Sequence, residues 1–148
     1  MIEVEIDDEA WTVVDDLEDR VHQAATIALE KAGAVTVSLT DDDAVADLNQ
    51  RFRGKTGPTN VLSFPAPETA QPFLGDVILA FGVCEREAVA QGKSLSDHLQ
   101  HLVVHGVLHL QGFDHLDDIE AREMEDRERM ILARLGVSDP YASRDEPD

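Results

Sequence analysis

His105, His109 and His115 stand at offsets 0, +4 and +10 in the stretch His105-Gly106-Val107-Leu108-His109-Leu110-Gln111-Gly112-Phe113-Asp114-His115. That is the spacing of a metal site. Residues four apart on a helix lie one turn above each other on the same face. His105 and His109 can therefore both direct a nitrogen at one ion, roughly 2.0 to 2.1 Å away. His115 would lie too far along a straight helix to join them, so the helix must stop and the chain turn back. A glycine able to adopt positive φ does this, and Gly112 sits where the break is needed. Imidazole ligands with one coordination place left over suit a single Zn²⁺, and that open place is the pattern of a catalytic rather than a closed structural site. The bland alternative is a set of surface or core histidines beside an ordinary helix end, and the paired spacing followed by a turn signal speaks against it. His98 and His101 share the segment, and a shifted pair of His101 with His105 is geometrically open.

One residue of a familiar arrangement is missing. In HExxH metallopeptidases the residue after the first ligand is a glutamate acting as general base, and here that position is Gly106. The whole block instead resembles the HGxLHLxGxDH signature of the YbeY family, bacterial zinc-dependent endoribonucleases of ribosomal RNA maturation. Further blocks resemble that family in the same order: Leu48-Asn49 through Arg53-Gly54-Lys55, Pro58-Thr59-Asn60-Val61-Leu62-Ser63-Phe64-Pro65, and Leu74-Gly75-Asp76. The resemblance implies a single Zn²⁺ on His105, His109 and His115, favouring these three over His101. It implies single-strand-specific cleavage of RNA at the 3′ end of 16S ribosomal RNA and a part in ribosome quality control. It also implies an rRNA precursor and the ribosome as partners, with a ribosomal protein or a GTPase alongside, and no DNA. Arg53 is then the group that stabilises phosphate charge. Asp114, next to the last ligand, is a partner to that ligand or a proton acceptor, although an Asp beside a helix end is as often a turn residue. Asp76 is equally readable as a strand residue. A zinc metallopeptidase and a non-enzymatic ribosome-assembly factor with structural zinc are the alternatives.

Composition bounds the setting. The chain has 148 residues and a formal charge of −19, which opposes binding of any polyanion through general electrostatics. From Leu48 to Pro67, however, there is no acidic residue, and Arg51, Arg53 and Lys55 fall close together. The single cysteine, Cys84, rules out an internal disulfide and reads as a small buried hydrophobe in a reducing compartment. No basic segment followed by an apolar run opens the chain, and no stretch approaches the roughly 18 apolar residues of a bilayer span. A soluble cytoplasmic protein without membrane contact is expected, as one domain over residues 1–136 followed by a disordered acidic tail over 137–148.

The elements that must position these residues follow from periodicity. Ile2, Val4 and Ile6 alternate with acids as a strand, and Val35, Val37 and Leu39 form a second. Between them, apolar residues at helical spacing run from about Trp11 to Ala32, with Gly33 as the closing cap. Thr40 or Asp41 caps a helix bearing Val45, Leu48 and Phe52. Residues 59–64 and 76–81 read as two more strands, and residues 85–91 as a helix. Ser94 or Ser96 caps the histidine-bearing helix, and a charged helix covers residues 117–135. His22 reads as a surface residue. The order indicates an α/β layer, and the family resemblance makes it a small mixed sheet of about four strands, one antiparallel, packed with about five helices including a zincin-like metal helix.

Overall fold

A computed structural model describes residues 1–114 and 116–141. Four strands form one sheet, β1 (Ile2–Ile6), β2 (Ala34–Thr40), β3 (Val61–Pro65) and β4 (Phe73–Ala80), in the spatial order β1-β2-β4-β3. β1, β2 and β4 are parallel, and β3 runs antiparallel along β4, pairing Ser63 with Val77. Among the described residues five α-helices surround the sheet: α1 (Leu17–Ala28), α2 (Asp42–Arg53), α3 (Phe81–Gln91), α4 (Leu95–Leu110) and α5 (Asp118–Arg134). This is the expected α/β class with a mixed sheet.

Strand alternation sends side chains to two layers. Val35, Val37, Leu39, Val77 and Leu79 join Leu99, Val103, Val107 and Leu132 in the main core, beneath α1, α4 and α5. Leu62 and Ala80 pack with Val45 under α2 on the opposite face, joined at its margin by Phe64 and Ile78. Asp76, one residue from Val77, falls on the α2 face and is not carried to the histidines. Cys84 is fully buried, and burial pushes its thiol well above the ordinary range, as suits an inert core residue.

The first helix differs from expectation. Residues 9–13 form a 3₁₀ turn whose Trp11 is buried, its indole Nε1 donating to the carbonyl of Thr40 at 2.9 Å, and Asp16 adopts a left-handed conformation before α1 begins at Leu17. α1 ends at Ala28. The side-chain carbonyl of Gln111 then accepts from the N–H groups of Glu30 and Lys31, so Gly33, which has no positive φ, does not cap it. Beyond α5 the first residues of the stretch expected as a tail are packed. Val137 is buried and donates its N–H to Leu132, and the chain stays packed as far as Tyr141 because its hydroxyl finds a buried acceptor on α5. Residues 142–148 lie outside the described residues. No helix among the described residues is long and apolar enough to cross a membrane.

Candidate metal centre and phosphate groove

α4 is built to present a polar face from inside a packed layer. Ser94 caps its N-terminus, Oγ accepting from Asp97 N–H at 3.1 Å. Leu99, Leu102, Val103, Val107, Leu108 and Leu110 bury the rest of its surface. The helix passes so close to the sheet that a Cβ at Gly106 would lie 2.5 Å from Val77 Cγ1 and 3.2 Å from Ser63 Oγ. A side chain at 106 would force α4 away from the sheet, so the packing opposes the glutamate of the peptidase motif there. Ser63 instead donates its hydroxyl to the Gly106 carbonyl at 3.2 Å, tying edge strand β3 to α4.

His105 and His109 face each other on the solvent side of the helix, with Nε2 to Nε2 at 3.1 Å. Two ligands of one tetrahedral ion at 2.0 to 2.1 Å would stand about 3.3 Å apart, so the pair has the separation a small cation requires. α4 ends just after, at Leu110, and Gly112 turns the chain with φ +99° while Phe113 N–H returns to the Leu108 carbonyl. The break expected at Gly112 is therefore present. Among the described residues, no group of three or more histidine, cysteine, aspartate or glutamate side chains is arranged to hold a metal ion. The third expected ligand, His115, lies outside the described residues.

Behind the pair sits Glu128 of α5, fully buried. Its Oε1 is 2.5 Å from His105 Nδ1, its Oε2 is 3.2 Å from His101 Nε2, and the Tyr141 hydroxyl donates to the same oxygen. Burial alone would raise its pKa, but the hydrogen bonds from His101 and His105, together with their charges, outweigh it and bring the carboxyl down to about 2. In the neutral ring that a metal ligand must be, a carboxylate at Nδ1 favours the proton there and leaves Nε2 of His105 as the nitrogen turned to His109. Sequence reasoning missed Glu128 because α5 looked like a solvated charged helix. The available signal was its place in the apolar row Met124, Glu128, Ile131 and Leu132.

His101 is thus held on Glu128 and not in a shifted pair. His98 bonds Glu87 at 2.9 Å, and burial lowers its pKa in spite of that carboxylate. These two histidines border a cavity of about 940 Å³ on another side of α4, which contains neither His105 nor His109.

The histidine pair opens into a groove of about 710 Å³ lined by Arg53, Lys55, Ser63, His105, His109 and Asp114, among others. α2 delivers Arg53: Asp41 caps its start, accepting from Ala44 N–H at 2.8 Å, and Gly54 ends it with φ +64°. Arg53 then reaches over β3, Nη2 donating to the Ser63 carbonyl at 2.9 Å. Of the expected site residues, Arg53, His105, His109 and the half-buried Asp114 share this groove. Arg51 does not line it. That side chain pairs with Asp47 in solvent.

Comparison with known proteins agrees with this architecture. A family model described as Endoribonuclease YbeY matches residues 3–136. Proteins named Endoribonuclease YbeY from Maricaulis maris and Paramagnetospirillum magneticum are 48% and 50% identical, each over 97% of this chain and over 93% and 96% of their own lengths. One from Rhodopseudomonas palustris is 48% identical over 97% of this chain and 82% of its own. The solution structure of TM1509 from Thermotoga maritima superposes with a TM-score of 0.64 at 25% identity, covering 100% of this chain and 97% of that one.

Proposed function

The chain belongs to the YbeY family of endoribonucleases, and from that premise we propose that it is a zinc-dependent endoribonuclease acting on single-stranded regions of ribosomal RNA. The observation that carries this reading is the joining, in one groove, of two imidazole Nε2 atoms 3.1 Å apart with the guanidinium of Arg53. His105, His109 and His115 are the residues that would hold Zn²⁺. When bound, the ion would polarise a phosphoryl oxygen and lower the pKa of a water molecule.

The chain's own groups supply the rest. Glu128 keeps the His105 proton on Nδ1. Arg53, a planar cation able to make two parallel hydrogen bonds, grips a phosphate and offsets charge developing on its oxygens, and Lys55 adds positive charge at the same wall. Asp114 is the carboxylate best placed in the groove to receive a proton, or else to orient His115. The peptidase alternative loses its base to the packing at Gly106. An assembly factor with purely structural zinc accounts poorly for a groove of this size opening on the ligand pair. The setting that fits is the cytoplasm, in maturation of the 3′ end of 16S ribosomal RNA and ribosome quality control, with the ribosome and a ribosomal protein or GTPase as partners.

The test is elemental analysis of purified protein coupled to cleavage of a single-stranded RNA and of a peptide, with and without chelator. Stoichiometric zinc and chelator-sensitive RNA cleavage are expected. Peptide cleavage alone, or zinc without any cleavage, would turn the assignment to one of the alternatives.

A further inference from the structure

The surface beside the groove carries an aromatic pair that the proposed chemistry does not use. Phe52, at the end of α2, leaves 62% of its surface in water and is the one aromatic among the exposed large hydrophobic residues described. Its ring meets Phe64 of β3 at a centroid distance of 5.5 Å and an interplanar angle of 64°. The Arg51 guanidinium lies 5.6 Å from the Phe52 ring centre, and that of Arg53 lies 5.7 Å from the Phe64 ring centre. Arg53 is also the side chain that crosses the β3 edge into the groove, so rings and groove share one edge of the sheet.

Charge narrows what this surface can accept. It belongs to the acid-free segment from Leu48 to Pro67 in a chain of charge −19. The carboxylate of Asp47, one turn before Arg51, is already paired at 3.2 Å. An exposed ring framed by guanidinium groups suits a flat, apolar-faced group attached to a polyanion. Unpaired nucleobases are such groups. They stack on aromatic rings and guanidinium planes irrespective of sequence, whereas bases in a duplex keep their faces in their own stack.

We propose that Phe52, backed by Phe64 and flanked by Arg51 and Arg53, is a stacking platform for one unpaired nucleobase of an RNA strand whose phosphodiester enters the groove. The inference rests on the endoribonuclease reading above and supplies a physical source for single-strand preference: a paired base reaches the ring only by leaving its stack.

Its test compares the zinc-loaded parent with Phe52→Ala and Phe52→Tyr. Steady-state cleavage of a short unstructured RNA is measured, along with the fluorescence of the same RNA carrying one 2-aminopurine, which is quenched when that base stacks. Phe52 leaves most of its surface in water, so both variants should fold, Phe52→Ala melting slightly below the parent for loss of the Phe64 contact. Phe52→Ala is expected to raise KM about 5- to 150-fold with kcat unchanged and to lose the quenching, while Phe52→Tyr retains both. Parental KM and parental quenching in Phe52→Ala would overturn the platform and leave the endoribonuclease reading standing. A parent that neither binds nor cleaves RNA would overturn both. Sedimentation showing that Phe52→Ala abolishes self-association, with KM unchanged, would assign the ring to a second copy of the chain and overturn the platform as well.

Discussion

Glu128 selects the tautomer of the neutral His105 ring, since a carboxylate 2.5 Å from Nδ1 favours the proton there and leaves Nε2 turned to His109. Glu128→Gln should therefore weaken zinc binding by about 10- to 100-fold in chelator competition, and unchanged affinity would remove Glu128 from the site. Its ionisation has a consequence for stability. The carboxyl titrates from about 2 in the folded chain against 4.5 ordinarily, so its contribution is complete above about pH 4.5 and is lost as pH falls from there towards about 2. Melting curves of metal-free protein over that window should be steeper in pH for the parent than for Glu128→Gln. The histidines divide cleanly in the same framework. His109→Ala should strip zinc, whereas His101→Ala, which removes a contact to Glu128 and no ligand, should keep it; stoichiometric zinc in His109→Ala would sink the assignment.

The geometry of α4 depends on its closeness to the sheet, and Gly106 is the contact point. Gly106→Ala puts a methyl group 2.5 Å from Val77 Cγ1, and should cost about 1 to 3 kcal/mol in denaturant unfolding while shifting the ligand helix enough to weaken zinc binding. Unaltered unfolding would contradict the close contact of α4 with Val77. Elements of this kind were legible where periodicity is local: alternation in β1 and β2, the caps Asp41 and Ser94, and the i, i+4 histidines followed by Gly112 all correspond to structure. That one strand runs antiparallel came only through family resemblance, and which strand it is, β3, came from the structure, because pairing partners lie far apart in the chain. The start of α1 was misjudged because Trp11 is apolar at helical spacing yet is fixed by a long-range bond to Thr40. Glu128 escaped for the related reason that a carboxylate at a core-facing position is indistinguishable, locally, from its solvated neighbours until the histidines it serves are placed beside it.

On the scale of the whole molecule, a charge of −19 repels RNA, so attraction must be local and directional rather than diffuse. The groove offers Arg53 and Lys55, few enough that affinity for a single strand should fall with salt with a log–log slope of only about −1 to −2. A steep slope would point to a cationic surface elsewhere. The same reasoning isolates the central claim, that the Arg53 guanidinium is what turns this groove to phosphodiesters, because Arg53→Lys leaves the net charge unchanged and removes the planar fork that can grip a phosphate by two bonds. Single-turnover cleavage of a single-stranded RNA by Arg53→Lys and the parent, at fixed salt and with zinc content measured on both, is the direct test. Full zinc with most of the cleavage lost is the predicted result; full zinc with parental cleavage would contradict it.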